Sequence, residues 1–231
     1  MRRSATPISG LALVALLAAC GGTESRRSGD AVPLAVVIGS GGNPADKLRA
    51  GELSAARAGF EATLAANPDR LSALNDLAAS YLLEGHTEAA RRLLDDVVAR
   101  GDPREQQGAL VNLGELYALD GYAEAARAYL ETARAIDRDR PEPWYALALL
   151  ADARGDLAAG RTALREALRL DDGGAARSQL AFAFPEERVH LEALLAEQAG
   201  DLPTAQARWR ELADGGFAPL AAAAERHLRG E

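Results

Sequence analysis

One cysteine, one methionine and three histidines are all that the 231 residues contain of these types, and aromatic residues make up only 5%. A lone cysteine, Cys20, cannot form an internal disulfide, so packing has to hold the fold. His86 falls in a predicted turn, while His190 and His227 fall on separate predicted helices. None has an H-x-x-x-H partner, so each reads as a surface histidine and no metal centre is expected. His190-Leu191-Glu192 copies the opening of a zinc deaminase motif without its cysteines. Gly39-Ser40-Gly41-Gly42 lacks the Gly-Lys-Ser/Thr ending of a phosphate loop, and there is no G-x-S-x-G. With no catalytic constellation, the chain is not expected to be an enzyme, and neither a cofactor nor a small-molecule substrate is expected. Basic residues are also short, 26 against 34 acidic, for a net charge of −8 with no basic stripe. Nucleic acid is therefore excluded as a partner. Long hydrophobic runs are missing too: the apolar stretch Ile8–Ala19 falls short of the about 20 residues a membrane-spanning helix needs.

What the chain does have is a repeat. The runs starting at Gly51, Gly85, Gly121, Gly155 and Gly200 align, with glycine spacings of 34, 36, 34 and 45 residues. A column of small residues moves with them (Ala56, Ala90, Ala126, Gly160, Ala205), and so does a column of large apolar ones (Phe60, Leu94, Leu130, Leu164, Trp209). A period near 34 residues signals stacked helix pairs. In the third unit Leu110, Leu113, Gly114 and Tyr117 share one helical face. Gly121 ends that helix, and a second runs from about Ala123 to Ile136 with Ala126, Leu130 and Ala133 inward. Small residues at Gly114 and Ala126 let the two backbones approach closely. The 45-residue interval carries eleven extra residues, placed between Gly173 and Phe184, which form either a short extra helix or a long loop.

These units resemble the tetratricopeptide repeat, whose signature is W-x₂-L-G-x₂-Y followed by a small residue, a large one and a proline. The third unit supplies Leu113, Gly114, Tyr117, Ala126 and Leu130, and the fourth Trp144, Leu147 and Ala148, with Ala151 in place of the tyrosine. The resemblance implies an all-α, right-handed superhelical solenoid of about five helix-turn-helix units, at about 44–70, 71–104, 107–140, 141–174 and 186–217. A capping helix is expected over 218–230. It also implies a concave face lined by the first helix of each pair, where a protein partner docks. The positions turned toward that face include Asn75, Leu83, Val111, Asn112, Glu115, Glu142, Tyr145 and Leu149. They form an apolar centre with a polar rim, with Tyr145 as the anchor. Tyr145→Asp is accordingly expected to abolish partner capture and spare the fold. The carboxylate clamp of some relatives is absent, because Asn75, Ala79, Glu142 and Ala146 replace its lysines, asparagine and arginine.

The N-terminus reads as an export segment over residues 1–19: two arginines, a short apolar core, and Leu17-Ala18-Ala19-Cys20. That tetrapeptide resembles a bacterial lipobox, which implies cleavage before Cys20 and its acylation. Two or three acyl chains suffice for stable anchoring. Removing Arg2 and Arg3 takes the net charge from −8 to −10. Gly21 after the cysteine is similar to lipoproteins sorted to the outer membrane, facing the periplasm. Residues 20–43 are then the lipidated cysteine and a flexible tether, rich in Gly and Ser, whose trimming over 22–40 should change thermal stability little. Its apolar run Ala31–Gly39 either packs on the first helices or docks on a partner. Two functions agree with this architecture: a lipid-anchored envelope scaffold, and an assembly factor similar to the lipidated pilotins of secretin or pilus machines.

Overall fold

The computed structural model describes residues 29–230. The export segment and Cys20 lie outside the described residues. After the strand β1 (Val36–Val37) come five helix pairs: α1 (Asn43–Arg49) with α2 (Leu53–Ala66), α3 (Leu71–Leu83) with α4 (Thr87–Arg100), α5 (Pro103–Leu119) with α6 (Ala123–Ile136), α7 (Glu142–Ala153) with α8 (Leu157–Leu170), and α9 (Pro185–Gln198) with α10 (Leu202–Ala213). α11 (Ala218–Arg229) closes the stack. From α1 to α8 each helix packs on the next, as do α9, α10 and α11, and α5 also touches both α3 and α7, forming the inner layer. The fold is an all-α repeat.

Local chemistry explains the pairing. Gly121 ends α5 with φ 83°, a conformation that side-chain-bearing residues resist. The Tyr122 N–H then reaches back to the Tyr117 carbonyl at 2.8 Å, satisfying an end carbonyl of the helix. Gly51, Gly85, Gly155 and Gly200 repeat this left-handed turn at the same place in their units. At the close approach, the α5 backbone at Gly114 leaves no room for a methyl: a Cβ there would lie 2.7 Å from Leu130 Cδ2. Asp102 caps α5 by accepting the Glu105 N–H, and Glu105 returns the bond to the Asp102 N–H.

Two segments depart from the expected plan. The insertion forms two short 3₁₀ turns (Asp172–Gly174 and Arg177–Gln179) and then a strand, β2 (Leu180–Ala181). That strand pairs antiparallel with β1, Val36 opposite Ala181 and Val37 opposite Leu180. The other is the stretch expected as tether, whose apolar run was open between packing on the first helices and docking on a partner: it packs, but on the inner face. Ala31, Val32, Leu34, Ala35, Val36, Val37 and Ile38 are all buried. They run along α5 and α3 as an extended strap, in contact with the inner layer. An apolar run beside an unfilled apolar face has more to gain by burial than by hydration.

Candidate functional site

The strap lies on the face expected to receive a partner. Asn112, fully buried on α5, holds both sides of the Val37 residue: its Oδ1 accepts the Val37 N–H at 2.7 Å and its Nδ2 donates to the Val37 carbonyl at 2.9 Å. Asn75, one unit earlier on α3, donates to the same carbonyl at 3.1 Å and accepts from Asn112 at 3.0 Å. Glu115 accepts the Leu34 N–H at 2.6 Å, and the Ala118 carbonyl accepts the Val32 N–H at 2.9 Å. Asp76 takes the far end, accepting the Gly39 N–H at 2.6 Å, the Ser40 N–H at 2.8 Å and the Ser40 hydroxyl. Five polar groups thus read the backbone of one extended segment, and its side chains fill the apolar remainder.

Six of the eight predicted groove residues are therefore not free surface. Asn75, Val111, Asn112, Glu115, Tyr145 and Leu149 are all buried. Tyr145 is not a partner anchor: its hydroxyl donates to Asp171 Oδ2 at 3.0 Å, and Asp171 also accepts the Ala176 and Arg177 N–H groups that start the insertion. Burial and the bond to Asp171 both push the tyrosine hydroxyl above its ordinary range. The expectation that Tyr145→Asp spares the fold is corrected accordingly, since it would bury a charge beside Asp171. Glu142 pairs with Arg140 at the start of α7, and Leu83 is half-buried against the core. Asp76, which sits beside Asn75 on the same face, completes the cradle.

Burial changes the electrostatics of the cradle. Desolvation raises the Glu115 carboxyl to about 8, only partly offset by the Leu34 N–H, so it holds a proton at neutral pH. Glu187, also fully buried, is pushed up by desolvation and then by the charge of Glu115. It accepts the Ala183 N–H at 2.7 Å from the end of the insertion.

A second polar centre ties the last helices to the stack, and it corrects the surface reading of two histidines. His190 on α9 meets Asp152 Oδ2 at 2.7 Å, and His227 on α11 meets Asp152 Oδ1 at 2.8 Å. His227 Nδ1 lies 2.7 Å from Glu197, and its ring stacks on Trp209 at 4.0 Å. Burial alone would raise the Asp152 carboxyl, but the two imidazoles hold it well below the ordinary range. Burial would lower His227, yet Asp152 and Glu197 hold it up at about 9. Each carboxylate oxygen of Asp152 is engaged by a ring nitrogen, so the centre is a clamp between helices. Among the described residues no group of three or more His, Cys, Asp or Glu is arranged to hold a metal ion. No described helix is long and apolar enough to cross a membrane.

No curated protein matches this chain. Among solved structures, the crystal structure of MamA aligns with a TM-score of 0.44 and 18% identity, covering 82% of this chain and 99% of that one. That level of likeness carries no functional argument. A family model described as tetratricopeptide repeat matches residues 108–140 and 141–173. The pairs α5–α6 and α7–α8 are thus tetratricopeptide repeats, at the centre of an all-α repeat fold of the kind that binds protein partners.

Proposed function

We propose that the chain is a lipid-anchored scaffold that holds protein partners together on the periplasmic side of the bacterial outer membrane. The export segment and the lipobox-like Leu17-Ala18-Ala19-Cys20 support the location, and the repeat stack supports the scaffold role. The observation that carries the reading is the strap. Only ten residues separate Cys20 from Ala31, where the chain becomes locked into the inner face. At about 3.5 Å per residue, the acylated end and the solenoid stay within about 40 Å of each other. The stack is then a body held close to the bilayer. Because the strap fills the concave face, partners in this proposal meet the outer surface of the stack. An assembly factor of the pilotin kind is the narrower version, and it would show as lost secretin multimers in a strain lacking the gene.

The anchor is tested by fractionation. Cys20→Ala is expected to leave the mature protein in the soluble periplasmic fraction, or to retain it with the export segment uncleaved. A Cys20→Ala protein that loses its export segment and still sediments with membranes after a high-salt wash would overturn the reading.

A further inference from the structure

The stack repeats a small framework on its outer side, and one copy of it is missing its centre. In the first three units an arginine stands six residues after the turn glycine and an acid ten after it: Arg57 and Glu61, Arg91 and Asp95, Arg127 and Glu131. Four residues before the following turn glycine stands the residue they face, which is Tyr81, then Tyr117, then Ala151. In the first copy the Arg57 guanidinium lies 5.9 Å from the centre of the Tyr81 ring, and Arg57 pairs with Glu61 at 3.5 Å. In the second, Arg91 pairs with Asp95 at 3.3 Å, and both act electrostatically on a tyrosine pair, Tyr117 stacked on Tyr129 at 5.0 Å and 15°.

In the third copy the position matching Tyr129 is Ala163, so both rings of the pair are gone while the arginine and the acid remain. What is left between α6, α7 and α8 is an open cleft of about 520 Å³, lined by Arg127, Glu131, Trp144, Leu147, Ala151 and Ala163 among others. Arg127 now pairs with Glu124 and Glu131 with Arg134, their neighbours on α6. A tight framework that has lost two rings leaves apolar walls without contact atoms. The Arg127 guanidinium, exposed and held by Glu124, borders this space, while Arg134 lies over the Trp144 ring at 4.9 Å.

We propose that this cleft is the stack's partner-binding surface and that it takes an aromatic side chain, tyrosine in chemical class, from another protein. The ring occupies the space that Tyr117 and Tyr129 occupy one unit earlier, against Trp144 and between Arg127 and Glu131. The proposal rests on the scaffold reading, but it needs neither the lipid anchor nor the envelope.

The test uses the mature chain and p-cresol, which is the tyrosine side chain as a free molecule. Its binding is followed by NMR at the indole N–H of Trp144, assigned with Trp144→Phe, with the indole N–H of buried Trp209 as internal control. A saturable shift at Trp144 alone is expected, with a dissociation constant on the order of 1 mM for so small a probe, and at least about tenfold weaker binding of cyclohexanol. Ala151→Tyr is expected to abolish the shift and to melt no lower than the parent. Ala159→Glu, on the exposed rim of α8, blocks the entrance without repacking and should also abolish it. The proposal falls if Trp144 shows no saturable shift, if cyclohexanol binds equally, if p-cresol still binds both variants, or if Ala151→Tyr fails to fold. None of these outcomes bears on Cys20, and membrane release of Cys20→Ala or its absence leaves the cleft untouched.

Discussion

Gly108 and Gly114 lie on one helix, α5, and a methyl group added at each meets different surroundings. At Gly108 it would find only Val37 Cγ1, at 3.8 Å. At Gly114 it would press on Leu130 Cδ2 and Cγ at 2.7 and 2.8 Å, and Leu130 is fully buried with no room to turn away. Gly108→Ala is expected to stabilise the protein by about 0.5–1 kcal/mol, because alanine loses less backbone freedom in a helix. Gly114→Ala is expected to destabilise it by about 1–3 kcal/mol through overpacking. Urea denaturation of the two variants checks the pair: equal midpoints would mean that α5 and α6 do not approach as described. The tight spot was legible from the alignment of Gly114 with Ala126 and Leu130, since close packing writes small beside large. The open spot at Gly108 was not, since it depends on how the strap passes.

Among elements, the strap differs most from its sequence-based reading. Its burial on the inner face means that removing residues 31–40 should lower the melting temperature by at least about 5 °C, using about 2–4 °C per kcal/mol for a chain of this size. The expectation that trimming changes stability little is revised for this reason. A single side chain tests the same contact. Asn112→Leu leaves the Val37 N–H without its partner and weakens the hold on the Val37 carbonyl, at a cost of about 1–3 kcal/mol for a buried polar group left unsatisfied. Hydrogen exchange at the Val37 amide should accelerate in this variant more than exchange in α8, and equal acceleration everywhere would count against a specific clamp. Asn75 and Asn112 were visible as polar residues on an otherwise apolar face. What they hold was not visible, because asparagine reads any backbone and its pattern does not name the segment it binds.

The molecule as a whole should respond to pH through three buried groups that keep protons when folded. Glu115 titrates at about 8 rather than 4.5, and Glu187 is displaced in the same direction. The stabilising contribution of Glu115 is complete below about 4.5 and is lost as pH rises through about 8, and that of Glu187 is lost in the same direction. His227 titrates at about 9 rather than 6.5, so the α11 clamp contributes fully below 6.5 and is lost through about 9. Asp152 and Glu197 act oppositely: both are held low, so their contribution is present above the ordinary carboxylate range and lost as pH falls. The melting temperature should therefore be highest near about pH 5 and fall from there to about pH 9, more steeply above about 6.5 where His227 joins. Glu115→Gln, which keeps an acceptor for the Leu34 N–H, should make that alkaline decline shallower. An unchanged slope would show that Glu115 is not the proton holder described.

The residues by themselves determined the helix pairs, their glycine turns, the small-beside-large contacts and the capping helix. All of these are contacts within one repeat or between neighbours, so they recur at the repeat spacing and appear as columns. The tertiary structure alone decided what fills the concave face and what the histidines do. Leu34 meets Glu115 across 81 residues and Val37 meets Asn112 across 75, while His227 reaches Asp152 across 75. Contacts at such separations occur once and leave no period. An apolar run also carries no record of which apolar face will bury it, because the hydrophobic effect has no direction and only the stacked helices supply the address.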